Sequence, residues 1–423
     1  MQARILHCGL LLLMTAACAD GPDATPSQTP AGAGSGGVGG ADIGGAGAGQ
    51  LPLMSGGTTT SAAGTSPIAG APPVTGGSAA GGGSFGGAAG STSEAGSSGG
   101  GMGGAGGATE PPACQTNQMT QCSGTSPIKC DFGGGVGDFL VTLELGGSAA
   151  SSTYVEAESY RRVLGNTALA AGETKRFSFG VNVRQPEGQP VQDVPPGTPG
   201  LQLYLRGSAP SLTSVCVQPL QAAPKVWIAG DSTVCDQDGT DYSGWGQHLP
   251  QHFKAPVSVA NYADSGESST SVLNSNKMWG AIKAGWKAGD WVLVQVGHND
   301  KDVTASTFQS NITAYVTQAK AANVHIILCT PTSRVGYALA DEHHSSTGAN
   351  LPQIIKDVGK SQNVPVIDLT TLTWNWLQTV DWKQYFALGT DHTHTNPAGA
   401  EVIAGLVQKA IVDQQLELAQ YVR

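Results

Sequence analysis

The chain has 423 residues, 61 of them glycine, and a formal net charge of −10. A surplus of acidic groups repels phosphate backbones, so nucleic acid is excluded as the expected partner. Most of the glycines crowd into the first quarter, which leaves the other three quarters to hold the folded mass.

The N-terminal residues read as an export signal over 1–18. Arg4 supplies a positive start, and Leu10-Leu11-Leu12-Leu13-Met14 is the apolar run. That run is too short to span a bilayer, which needs about 20 apolar residues. Thr15-Ala16-Ala17-Cys18 resembles a bacterial lipobox, with Thr15 where leucine is more typical. The expectation is an outer-membrane or cell-surface lipoprotein tethered through lipidated Cys18. An ordinary signal peptide and a secreted protein form the alternative. Residues 19–112 are Gly, Ala, Ser, Thr and Pro, too poor in large apolar groups to offset ordering entropy. They read as a disordered linker.

Six cysteines remain beyond Cys18: Cys114, Cys122, Cys130, Cys216, Cys235 and Cys329. An even count in an exported chain points to disulfides, with 15 possible pairings for six cysteines. Cys235 reads as structural.

Over 113–222 the hydrophobic period is two. Phe139, Val141, Leu143 and Leu145 alternate with Leu140, Thr142 and Glu144. Phe177, Phe179, Val181 and Val183 alternate with Ser178, Gly180, Asn182 and Arg184, and a third run covers Leu201, Leu203 and Leu205. Half-buried strands at this spacing predict a small all-β sandwich, which either binds sugar or braces the next domain.

Over 223–423 short apolar runs alternate with helix-length stretches. Strands are expected at 226–229, 257–260, 291–296, 326–328 and 364–367. Helices are expected at 304–322 and 350–361, and a last one from Pro397 with Asn396 as its N-cap. Alternation of this kind predicts an α/β fold, a parallel sheet covered by helices on both faces. Ligands of such sheets sit at the carboxyl ends of the strands.

Four polar clusters fall at those ends: Gly230-Asp231-Ser232-Thr233, Asp264-Ser265-Gly266-Glu267-Ser268, Gly297-His298-Asn299-Asp300 and Asp391-His392-Thr393-His394-Thr395. Acyl transfer needs a nucleophile, a base, an orienter and an oxyanion site. Ser232 can project its hydroxyl from the sheet edge, but a free serine needs an adjacent base. His394 can supply it. Asp391, three residues earlier, can hold the far imidazole nitrogen. Gly266 offers a backbone N–H, and Asn299 a side-chain N–H.

This ordered set of four clusters resembles the GDSL, or SGNH, esterase superfamily, over about residues 225–416. Within it the pattern looks most like rhamnogalacturonan acetylesterases. The resemblance implies a three-layer α/β/α, flavodoxin-like sheet and a serine esterase without a cofactor. It implies Ser232, Asp391 and His394 as the catalytic set, with an oxyanion hole made by the N–H groups of Ser232 and Gly266 and the amide of Asn299. The substrate implied is an acetylated plant polysaccharide, and a monomer is expected. Asp231, His298 and Asp300 are candidates for supporting hydrogen bonds. Arg334 and Trp245 are candidate substrate contacts, and each reads equally well as structural.

Other chemistries fit less well. His392 and His394, with His298 or with His343 and His344, match no zinc spacing, so no metal is expected. An α/β-hydrolase should carry G-x-S-x-G between strand and helix, and the matches at Ser84 and Ser98 lie in the linker. A lipase or lysophospholipase on the same site and a non-catalytic carbohydrate-binding protein remain as alternatives.

Overall fold

Alternating side chains of the first folded region pack two antiparallel sheets face to face. The computed structural model describes residues 116–423 except 221, 222 and 240. The expected signal, Cys18 and the linker lie outside these residues. Strands β1 (Cys122–Ser123), β2 (Ile128–Asp131), β3 (Gly137–Gly146), β4 (Ser151–Ala157), β5 (Arg161–Leu169), β6 (Thr174–Val183), β7 (Gln202–Ala209) and β8 (Ser214–Pro219) form the sandwich. One sheet has the order β1-β2-β7-β4-β5 and the other β6-β3-β8. Val141, Leu143, Leu145, Val155, Phe179, Val181, Leu203 and Leu205 fill the space between them. A disulfide joins Cys122 to Cys130, and Cys216 is also disulfide-bonded. Cys235 and Cys329 are free and buried, which corrects the expectation of full pairing.

The polar side of β6 departs from the sequence reading. Ser178, Gly180, Asn182 and Arg184 alternate with the core residues, as on a strand half exposed to water, yet all four are buried. They face the second domain. A Cβ at Gly180 would lie 2.4 Å from the Val257 carbonyl oxygen, so only glycine lets the backbones come this close. Arg423 Nη2 donates to the Ser178 carbonyl at 3.0 Å, and Ser258 Oγ donates to Asp138 at 2.9 Å. Both arginines of the sandwich edge, Arg161 (Nε, 3.3 Å) and Arg184 (Nη2, 3.2 Å), pair with fully buried Asp236 of the second domain.

That domain is built on five parallel strands: β9 (Lys225–Gly230), β10 (Ser258–Asn261), β11 (Trp291–Gln295), β12 (His325–Cys329) and β13 (Val366–Ile367). Their order is β10-β9-β11-β12-β13, or 2-1-3-4-5 within the domain, the flavodoxin-like order. It reverses between β9 and β11, so a crevice opens beyond their carboxyl ends. One face is covered by α1 (Trp245–His248) and α7 (Pro397–Asp413), through Trp245, Ile403, Val407 and Ile411. The other carries α2 (Ser269–Asn274), α3 (Trp279–Gly285), α4 (Ala305–Ala321) and α5 (Leu351–Gln362), through Phe308, Ile312, Tyr315, Ile355 and Val358. A further helix, α6 (Leu369–Leu377), follows β13. Side-chain caps start the long helices where the sequence indicates. Thr304 accepts from the Thr307 amide, Asn350 from Gln353, and Asn396 from Gly399 ahead of α7 with Pro397 in its first turn.

Glu158, 3 % exposed beside the interdomain arginines, gives a pH test of this packing. Burial pushes its carboxyl up to about 8, against the opposing pull of Arg161 and a hydrogen bond from the Gln202 amide. The folded state therefore holds a proton that the unfolded chain has released. The associated stability is fully present below about pH 4.5 and is lost as pH rises through about 8. Glu158→Gln keeps the acceptor for Gln202 and removes the ionisation. Its melting temperature should gain on the wild type steadily between pH 5 and pH 8. A gap that stays constant over this range would show that Glu158 does not titrate there.

Candidate active site

The crevice between β9 and β11 gathers the four polar clusters. Gly230 ends β9 where a Cβ would lie 2.7 Å from Val234 Cγ2 and 2.9 Å from the Gln295 carbonyl oxygen. Its lack of a side chain lets the backbone turn at once into Asp231-Ser232. The turn is closed by the Val234 and Cys235 amides, which donate to the Asp231 carbonyl at 3.0 and 3.1 Å. Ser232 is 8 % exposed, and its Oγ lies 2.9 Å from His394 Nε2.

His394 arrives from the loop ahead of α7. Its Nδ1 lies 2.9 Å from Asp391 Oδ2, while Asp391 Oδ1 accepts the Thr393 and His394 amides at 2.7 and 2.8 Å. The carboxylate thus closes its own loop and holds the ring. Burial works against its charge, but these backbone bonds and the imidazole outweigh burial and hold the carboxyl below its ordinary value. A carboxylate acceptor requires the proton on Nδ1, which leaves Nε2 free to accept from the serine. Such a chain of hydrogen bonds can draw a proton from Ser232 as its oxygen becomes a nucleophile.

Around it lie the other clusters. Gly266 has φ +80°, a conformation open to glycine, and is exposed beside the crevice. Asn299 follows β11, and its Nδ2 donates to the Glu267 carbonyl at 3.1 Å, which ties this amide to the Gly266 loop. Asp300 accepts from the amide and hydroxyl of Ser269 at 2.9 and 2.6 Å and so fixes the start of α2. Asp231 is fully buried, and its Oδ1 accepts the Thr233 amide and hydroxyl at 3.0 and 2.7 Å. Burial pushes its carboxyl up to about 6 against those bonds. His298 packs edge-on against His343 at 4.6 Å, with Nε2 3.3 Å from Thr332 Oγ1. Burial pushes it down to about 3, with Arg334 adding to the effect, so the ring is neutral.

Arg334 stands at the edge of this group, its guanidinium 4.3 Å from the Tyr337 ring and Nε 3.6 Å from Glu342. Its loop meets the histidine loop where the Val335 amide donates to the His392 carbonyl at 2.8 Å. Trp245 is not available to a substrate. It is fully buried under the sheet, and its indole N–H donates to Gln295 Oε1 at 2.8 Å. Of its two readings this placement fits the structural one, because the indole has both its apolar and polar needs met inside the protein. Among the described residues no group of three or more His, Cys, Asp or Glu side chains is arranged to hold a metal ion.

Three residues near the site escaped sequence reasoning. Tyr242 meets the His394 ring edge-on at 5.9 Å. Gln189 and Gln192, from the sandwich, hydrogen-bond to Ser265. A glutamine in a Pro-rich loop over 70 residues from its partner carries no local signal.

The chain is similar to several known proteins. Residues 228–402 match the model of the GDSL-like Lipase/Acylhydrolase family. The chain is 30% identical over 220 residues to rhamnogalacturonan acetylesterase RhgT of Bacillus subtilis, covering 47% of this chain and 93% of that one. It is 27% identical over 239 residues to a rhamnogalacturonan acetylesterase of Emericella nidulans, covering 48% and 90%. Among solved structures, protein YxiM of Bacillus subtilis aligns with a TM-score of 0.43 and 23% identity, over 69% of this chain and 81% of that one. The chain belongs to the GDSL-like lipase/acylhydrolase, or SGNH, family and is a carboxylic ester hydrolase.

Proposed function

We propose that the protein removes acetyl groups from a pectin-type plant polysaccharide by way of an acyl-enzyme on Ser232. The observation that carries this reading is the unbroken contact from Ser232 Oγ through the His394 ring to Asp391. Ser232 Oγ attacks the ester carbonyl as His394 Nε2 takes its proton, and the carbonyl oxygen becomes an oxyanion. The N–H groups of Ser232 and Gly266 and the Asn299 amide receive that charge. The C–O bond to the sugar then breaks, and His394 returns the proton to the leaving hydroxyl. Water, deprotonated by the same ring, attacks the acyl-enzyme and releases acetate and free Ser232.

Acetyl is favoured by the relatives, two of which are named rhamnogalacturonan acetylesterases. A lipase would gain about 0.8 kcal/mol for each further methylene it buries, so its rate should climb with acyl length. The test is a series of aryl esters from acetyl to palmitoyl, followed by acetate release from acetylated pectin and xylan. The expected result is a fall beyond the shortest acyl groups and acetate released from pectin. A rate rising toward palmitoyl would assign the lipase alternative, and aryl acetate cleavage without acetate from any polymer would remove the polysaccharide.

A further inference from the structure

The β-sandwich reaches into the esterase site through the loop after β6. Within that loop the Gly188 amide donates to the Pro195 carbonyl at 3.0 Å and the Gln189 amide to the Val194 carbonyl at 2.7 Å, so it is a braced hairpin. Its tip ends on the loop that carries Gly266. Fully buried Asp264 accepts the Val191 and Gln192 amides through Oδ2. Gln189 Oε1 accepts the Ser265 amide at 2.8 Å, and Gln192 Nε2 donates to the Ser265 carbonyl at 2.9 Å. Gln189 Nε2 also donates to Gln237 Oε1 at 3.2 Å, and Gln237 Nε2 to the Ser232 carbonyl at 3.1 Å. Two of the three segments proposed to hold the oxyanion, those of Ser232 and Gly266, are thereby tied to one residue of the other domain.

The Ser265 carbonyl and the Gly266 N–H belong to one planar peptide and point in opposite directions. The φ of +80° at Gly266 is the value taken by the third residue of a type II turn, whose central peptide is the one just before that residue. Type I and type II turns differ chiefly by reversal of this central plane, and glycine tolerates either sign of φ. Nothing in the covalent chain therefore fixes which way the Gly266 N–H faces. We propose that Gln192, supported by Gln189, is a positioning residue that locks this peptide with the Gly266 N–H toward the reacting carbonyl. Its donation to the Ser265 oxygen also polarises the N–H at the other end of the same peptide. The sandwich is then a working part of the ester-cleaving site, whatever else it binds. This inference rests on the oxyanion role given above to Gly266.

The test uses the full chain with an aryl acetate. Gln192→Glu keeps the shape of the side chain but removes the donor, since a carboxylate only accepts. Gln192 is exposed, so the fold should tolerate the change. The expected result is a fall in kcat of about 10- to 100-fold, short of the 10²–10³ typical of losing an oxyanion donor outright. KM and the melting temperature should stay near wild type. Affinity for a boronic acid that forms a tetrahedral adduct on Ser232 should fall by the same factor. Gln192→Lys, which restores a donor of similar reach, should recover most of the loss. Wild-type kcat in Gln192→Glu, or a defect seen only in KM or melting temperature, would overturn the proposal. Asn299→Ala is the control for the site itself, with an expected loss of about 10²–10³ in kcat. If that variant is fully active, the oxyanion assignment has failed rather than the positioning role.

Discussion

Ser232→Ala should reduce kcat by a factor on the order of 10⁶, the scale seen when a serine nucleophile is removed from a working hydrogen-bonded set. The fold should survive it. The Ser232 hydroxyl bonds to His394 Nε2, and alanine leaves no unpaired buried charge behind. The melting temperature should stay close to wild type. Because the residues act as a unit, Ser232→Ala with His394→Ala should lose little more than Ser232→Ala alone. A fluorophosphonate should add once to the wild type, on the peptide containing Ser232, and not at all to the alanine variant. Substantial turnover by Ser232→Ala, or an adduct mapped to another residue, would sink the mechanism.

Asp236→Asn should produce the largest loss of stability. The carboxylate sits between Arg161 and Arg184 with no exposure to water, and its Oδ1 also accepts Asn261 Nδ2 at 2.8 Å. Burial alone favours the neutral acid, and the two guanidiniums are what oppose it. Asparagine would turn an N–H donor toward two donors and leave two cations without their shared anion. Breaking a buried pair by removing one partner costs about 3–5 kcal/mol. The urea midpoint should fall accordingly, with little change in slope. A loss below about 1 kcal/mol would mean that both guanidiniums find other partners when the carboxylate is gone.

What could be read beforehand and what could not divide along a physical line. The five strands of the second domain were legible because each is a short apolar run between helix-length stretches, and three of them are followed directly by a polar cluster. Chain order alone puts such clusters at one sheet edge. The Asp391–His394 spacing was legible because three residues are one turn of chain. The polar face of β6 was not, since a period of two marks the polar face of a strand without saying whether water or another domain lies against it. Trp245 stayed undecided for a related reason. An aromatic in this stretch fits a substrate contact and a core residue equally, and only the structure shows its indole N–H on Gln295 inside the core. The free thiols of Cys235 and Cys329 went unseen because counting cysteines assumes that each can reach another. The glutamines on Ser265 were hidden because their partners lie 76 and 73 residues away.

Ser232 and His394 stand 162 residues apart. Synthesis at about 5–20 residues per second separates them by roughly 10–30 s. During that interval the nascent chain holds a serine with no base, as harmless as any other. Asp391 and His394 come off the ribosome together, one short loop ahead of α7, and no base can reach the serine before they emerge. Esterase activity is therefore a late event in the life of each molecule. Its onset in a translation reaction would time the closing of the domain, with no spectroscopic label required.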